Sequence, residues 1–268
     1  MEYSLNKVNT EKFSMDYMKF GSGKNTLVIL PGLSITKVLI AAPAIVNQYR
    51  LFADDFTVYL FERRSDVPDE YSVGDMADDT AEVLKLLNLS GVCLFGTSQG
   101  GMIAMLIAAK YPSLVKKLAL GSTALKVDEN RGKIIKSWID LAKAGKKEEL
   151  CLSMGENVYP ESFFEENKTA FSSMSKIVTD EDLRRFIIIA GGARDFDATE
   201  AVKKITCPVM VSGDKDDKVL GGDSAPELSK VFGNNSGFTE CVYSGYGHAA
   251  YDTAPNFKQK LYDFLFDE

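Results

Sequence analysis

The chain opens on an alternating stretch, residues 3–20, in which Phe13, Met15 and Tyr17 share one face. Alternation with period two predicts an antiparallel ribbon at a sheet edge. Thr26-Leu27-Val28-Ile29-Leu30 follows, a continuous apolar run stopped by Pro31-Gly32. Such a run suits a strand covered on both faces of a parallel sheet. Pro43, whose missing N–H matters least in a first turn, opens a helix predicted to about Ala53, and Phe56 to Phe61 reads as the next strand. From Asp75 to Leu87, Met76, Thr80, Val83, Leu84 and Leu87 recur at helical spacing. Asp75, Asp78 and Asp79 lie near the start of that segment, where the helix dipole favours negative charge. Val92 to Phe95 is a short buried strand, Gly100 to Lys110 a helix of small and apolar residues, and Val115 to Leu120 a strand. This alternation predicts the α/β fold class, a doubly wound and mostly parallel sheet with right-handed crossovers.

The rhythm breaks between about Val127 and Ala201. That block is helical in pattern and carries Trp138, Met154, Tyr159, Phe163, Phe164, Phe171, Met174 and Phe186. Strand and helix then resume at Pro208 to Val211, at Pro226 to Phe232 and at Thr239 to Tyr243. A closing helix is predicted from about Ala254 to Phe266. The expected organisation is a core domain of residues 1–126 and 202–268, interrupted by a helical cap insertion of residues 127–201. The cap's aromatics and methionines suggest an apolar pocket, with Trp138 and Met154 as candidate substrate-binding residues, and also suit the insertion's own core.

Composition narrows the function mainly by exclusion. Hydrophobic residues make up 45% of the 268 and charged residues 26%, as in a soluble globular protein. A net charge of −7 opposes binding to nucleic acid or to an anionic membrane surface. No apolar segment near the N-terminus reads as a signal peptide, so a cytoplasmic location is expected. Four cysteines without a Cys-x-x-Cys pair, beside a single histidine, argue against a structural zinc site and read as buried reduced thiols. No metal or organic cofactor is expected. The expected partner is a small-molecule substrate, and the expected assembly a monomer or homodimer.

The chemistry concentrates in three places. Gly96-Thr97-Ser98-Gln99-Gly100-Gly101 follows an apolar strand and opens a helix. This is the context of a nucleophile elbow, whose tight turn admits only small residues two positions before and after the serine. Ser98 is the candidate nucleophile, and the Gln99 N–H, at a helix N-terminus, a candidate oxyanion donor. His248, in Gly245-Tyr246-Gly247-His248, follows the last predicted strand and is the candidate base. It falls where a doubly wound sheet places its carboxyl-end loops. A histidine base needs a carboxylate on its other nitrogen. Asp214, Asp216 and Asp217 compete for that role in the loop after Val209-Met210-Val211, and spacing favours Asp216, then Asp217. The loop after the first central strand, Pro31-Gly32-Leu33, offers the Leu33 N–H as second oxyanion donor.

With Ser98, Asp216 and His248 in that order, the chain resembles the α/β-hydrolase superfamily along essentially its whole length, and in particular its cap-bearing members, among them small carboxylesterases and carbon–carbon bond hydrolases. Where the family usually reads His-Gly and Asp-Arg-x-Gly, this chain has Pro31-Gly32 and Glu62-Arg63-Arg64-Ser65. The resemblance implies acyl transfer on Ser98, with ester, thioester or carbon–carbon bond substrates all open. A small-molecule receptor that keeps the triad is the alternative outside catalysis.

Overall fold

The computed structural model describes residues 1–267. Its centre is one eight-stranded sheet: β1 (Tyr3–Asn9), β2 (Ser14–Phe20), β3 (Asn25–Leu30), β4 (Phe56–Phe61), β5 (Val92–Thr97), β6 (Val115–Gly121), β7 (Val209–Asp214) and β8 (Thr239–Tyr243). The spatial order is β1-β2-β4-β3-β5-β6-β7-β8. β1 and β2 form the expected antiparallel edge ribbon, and β2 joins β4 antiparallel. Every pair from β4 to β8 is parallel.

The central strands sort their side chains with period two. Leu27, Ile29, Cys93 and Phe95 enter the core on one face, with Phe257, Leu261 and Leu265. Val28, Leu30, Val92 and Leu94 enter the other, with Val83, Leu84, Ile103 and Met105. Burial on both faces explains why these strands read as continuous apolar runs. The helices flanking the sheet are α1 (Ala42–Gln48), α2 (Val73–Leu86) and α3 (Gln99–Lys110) before β6, and α8 (Ser224–Phe232), α9 (Ala250–Thr253) and α10 (Phe257–Phe266) after β7. Ser72 starts α2 with a capping box: its Oγ accepts the Asp75 N–H (3.1 Å) and its own N–H donates to the Asp75 carboxylate (2.9 Å).

Two helices differ from the sequence reading. α1 stops at Gln48, and a separate 3-10 turn, Arg50–Phe52, follows. In a tight turn side chains three apart stack, and here Tyr49 and Phe52 lie 6.0 Å apart, both buried. The closing helix, expected from about Ala254, starts three residues later, after a separate short helix α9. Pro255 cannot donate to a helical ladder, Asn256 adopts a left-handed conformation (φ 60°), and α10 starts only at Phe257.

Between β6 and β7 lie α4 (Lys133–Lys143), α5 (Lys147–Val158), α6 (Glu161–Met174) and α7 (Asp180–Gly191). This segment leaves and rejoins the core at one neck, where Val127 N–H donates to Phe196 O (2.8 Å) and Ala198 N–H to Leu125 O (2.9 Å). No helix among the described residues is long and apolar enough to cross a membrane.

The chain crosses from β3 to β4 on one side, then to β5 on the other. The loops after β3 and β5 therefore flank the switch point of the sheet, where open α/β folds form their crevice. Pro31-Gly32-Leu33 and Ser98 occupy those loops.

Candidate active site

Ser98 stands between the end of β5 and the start of α3 with φ 51° and ψ −122°. A positive φ on a serine costs roughly 1–3 kcal/mol and persists only where the surroundings enforce it. They do so here. Ser98 N–H donates to Gly121 O (2.8 Å), and Ser98 O accepts from Thr123 Oγ1 (2.7 Å) and Gly101 N–H (2.9 Å). The flanking glycines are needed for close approach. A Cβ on Gly96 would lie 2.3 Å from Gly100 O, and one on Gly100 would lie 2.0 Å from Leu30 O. Larger residues at either position would push α3 off the sheet.

His248 is buried, in a short turn (Gly247–Ala249) after β8. Its Nδ1 lies 2.8 Å from Asp217 Oδ2. The other oxygen of that carboxylate accepts the N–H groups of Val219 (2.8 Å) and Leu220 (3.0 Å). Asp217 is therefore buried, aimed and saturated, as the orienting acid of a histidine base must be.

The expectation of Asp216 is corrected by this geometry. Asp216 lies at the exposed outer bend, where its carboxylate accepts Ser244 Oγ–H (2.9 Å) and Gly245 N–H (2.8 Å). Those bonds to the facing loop, the Gly245 N–H first, hold its pKa below the usual carboxylate range. Asp214 is buried and also structural, accepting Asp216 N–H (2.8 Å) and Tyr246 N–H (2.9 Å). The three aspartates thus divide the work: two fasten the loop that carries His248, and the third faces the ring.

Ser98 and His248 line one cavity of about 210 Å³, together with Gly32, Leu33, Ser34 and Thr36 of the loop after β3 and with side chains of α4, α5 and α6. Trp138 and Met154, the candidate binding residues of the cap, both line it, as do Cys151, Phe171 and Tyr159. Gln99 N–H is the first of α3, among the donors a helix leaves without an internal partner. Leu33 lines the same cavity from across the switch point.

Residues 25–149 match the model of the alpha/beta hydrolase fold family. The chain has the α/β-hydrolase fold. Among curated proteins the chain is similar to RutD of Rhizobium rhizogenes, provisionally named a carbamate hydrolase: 25% identical, over 81% of this chain and 86% of that one. It is also similar to the serine hydrolase BPHL of Mus musculus, 29% identical over 53% of this chain and 50% of that one. Among solved structures, MGS-M2, an alpha/beta hydrolase enzyme from a deep-sea metagenome library, aligns with a TM-score of 0.86 at 18% identity, covering 98% of each chain. The enol-lactonase of Burkholderia xenovorans aligns at 0.82 and 15% identity, over 98% of this chain and all of that one. The family and these relatives together support a hydrolase.

The sequence reading missed a buried charge cluster behind the loop after β3. Glu62, Arg63 and Arg185 are all buried. Arg63 donates to Pro31 O (2.8 Å) and Gln99 Oε1 (3.4 Å), and Arg185 to Arg63 O (3.2 Å). Glu62 and Arg63 were visible only as variants of the family's Asp-Arg-x-Gly. The available signal was three charged residues, Glu62, Arg63 and Arg64, directly after the apolar strand β4, at the end of the sheet that carries Ser98. Arg185 gave none, because one arginine in a mixed helix reads as surface.

Proposed function

We propose that the protein is a serine hydrolase that cleaves ester-like bonds of small, uncharged molecules through an acyl-enzyme on Ser98. The observation that carries this reading is the buried 2.8 Å pair of Asp217 and His248, whose histidine lines one cavity with a serine held at strained φ. Asp217 holds the Nδ1–H tautomer, which leaves Nε2 free to take the Ser98 proton. Ser98 Oγ attacks the carbonyl carbon, and the oxyanion that forms meets the N–H groups of Leu33 and Gln99. The alcohol leaves with the proton from His248. Water activated by the same ring then releases the acid and regenerates Ser98.

The lining of the cavity supports this substrate class. Among the described residues that line it there is no Asp, Glu, Lys or Arg. A charged acyl group would lose its hydration there without finding a counter-ion. Its volume of about 210 Å³ lies below the roughly 300–1,000 Å³ usual for pockets that take drug-sized ligands. Trp138, Met154 and Phe171 form apolar walls suited to a short acyl chain. A carbamate, the group named for the RutD relatives, presents the same uncharged carbonyl and belongs in the same test.

That test is steady-state turnover of 4-nitrophenyl acetate, butyrate, octanoate and hemisuccinate and of a phenyl carbamate. Repeated turnover of acetate and butyrate is expected, with kcat/KM for octanoate and for the anionic hemisuccinate lower by about tenfold or more, equivalent to about 1.4 kcal/mol. Preference for the charged ester would refute the substrate class. Release of one equivalent followed by arrest would favour a ligand receptor over an enzyme.

A further inference from the structure

We propose that Arg63 is a positioning residue that holds the two oxyanion donors in register and links them to cap helix α7; the inference rests on the serine-hydrolase reading. One guanidinium nitrogen donates to Pro31 O (2.8 Å), two residues before Leu33, and to the side-chain oxygen of Gln99 (3.4 Å). The two segments that supply the donors come from different strands, β3 and β5, and Arg63 bridges them from behind. A planar, permanently charged fork suits this task better than any other side chain.

The same network continues into the cap. Gln99 Nε2 donates to Ile189 O of α7 (2.7 Å). Arg185, also on α7, donates to Arg63 O (3.2 Å) and lies 3.9 Å from the Glu62 carboxylate. Glu62 in turn accepts the N–H of Leu39 (2.8 Å), a few residues beyond Leu33. Helix α7, the oxyanion loop and the elbow thus share one buried polar cluster. Two arginines against one glutamate leave an excess of positive charge close to where the oxyanion develops. Burial pulls Arg63 down to about 10, so it stays charged at neutral pH. A buried cluster of this kind is a poor source of stability, because desolvation opposes it. Held behind the donors, it favours the negative charge that appears only during reaction.

The experiment compares Arg63→Lys, Arg63→Met and Arg185→Met with the wild type, using 4-nitrophenyl acetate and a fluorophosphonate that labels the nucleophile. Deleting an oxyanion donor outright costs about 10²–10³ in kcat. Misplacing the donors should cost less: about 10- to 100-fold in kcat for Arg63→Met, with KM within about threefold. Arg63→Lys keeps the charge and one donor and should fall between Arg63→Met and wild type; Arg185→Met, one link further away, should lose about 3- to 10-fold. The fluorophosphonate labelling rate should fall in parallel. If Arg63→Met does not fold, Arg63→Lys and Arg185→Met decide. Folded variants with a lowered Tm and kcat within threefold of wild type would overturn the proposal alone. An unlabelled Ser98 in the wild type would overturn it together with the reading it rests on.

Discussion

Replacing Asp217 with asparagine changes one oxygen to an NH₂ group and no volume, so its effect can be worked from the contacts. The amide has two ways to sit. With its oxygen towards Val219 and Leu220 it keeps both backbone bonds, now 2.8 and 3.0 Å, and turns its NH₂ to His248 Nδ1. With its oxygen towards His248 it leaves two buried N–H groups facing a donor. Each orphaned donor costs about 1–3 kcal/mol, so the first arrangement wins by about 2 kcal/mol or more, roughly 30-fold or more in population. In that arrangement Nδ1 must accept, the proton moves to Nε2, and the ring cannot take a proton from Ser98. The expected loss is about 10⁴ in kcat, or about 5.5 kcal/mol, with the fold intact. The assay is saturating turnover of 4-nitrophenyl acetate beside ¹⁵N NMR of labelled histidine. The chain has one histidine, so the spectrum reports the tautomer of His248 directly and should switch from Nδ1–H to Nε2–H. Asp216→Asn, which touches only Ser244 and Gly245, should lose less than about tenfold, the scale of a loosened exposed loop contact. A larger loss in Asp216→Asn, or Asp217→Asn within tenfold of wild type, would refute the assignment.

Three further outcomes are expected. A Cβ on Gly155 of α5 would lie 2.9 Å from the Phe171 ring, so Gly155→Ala should press that ring into the cavity and raise KM for butyrate several-fold more than for acetate, at the scale of a methylene or two; unchanged selectivity would show that the ring yields outwards. Trp138 is 2% exposed and its Nε1–H donates to Ser153 Oγ (3.2 Å), so Trp138→Ala should lower unfolding free energy by about 3–5 kcal/mol in urea titration, well beyond the small effect expected of a residue that only lines a pocket. Burial raises all four thiols, Cys207 to about 11, so iodoacetamide at pH 8 should modify the native protein slowly and the denatured protein at all four. For Cys207 the folded state keeps its proton longer than the unfolded state, so its contribution is intact below the ordinary thiol range and fades as pH rises towards 11; Cys207→Ala should flatten the fall of Tm in that window.

Much of the fold was legible because its signals are local. Apolar runs marked the buried strands, and the switch to helical spacing after Val127 marked the four helices between β6 and β7. The turn at Ser98 was legible for the same reason, as a strand-to-helix turn with glycines at close approaches, and the single histidine, His248, lines the cavity beside it. Asp217 was missed by one position because the choice depends on a segment about thirty residues away. Residues 244–246 capture Asp214 and Asp216, and only then does Asp217 turn inward. The buried pair Val219-Leu220, whose N–H groups hold Asp217, was the clue that this carboxylate faces the core. The Arg63 cluster is a tertiary property throughout. Its partners come from the loop after β3, the β4 end, α3 and α7, and the charged residues directly after β4 were the one local sign of that meeting.

The account rests on Ser98 as the reacting group, and labelling tests this most directly. A fluorophosphonate should add once per chain, in the peptide containing Gly96-Thr97-Ser98-Gln99-Gly100, and mass spectrometry should place the adduct on Ser98. Ser98→Ala should take up none and should keep the wild-type circular dichroism spectrum. His248→Ala should be labelled slower by several orders of magnitude, because the serine then has no base. An adduct on another residue, or equal labelling of Ser98→Ala, would contradict the account.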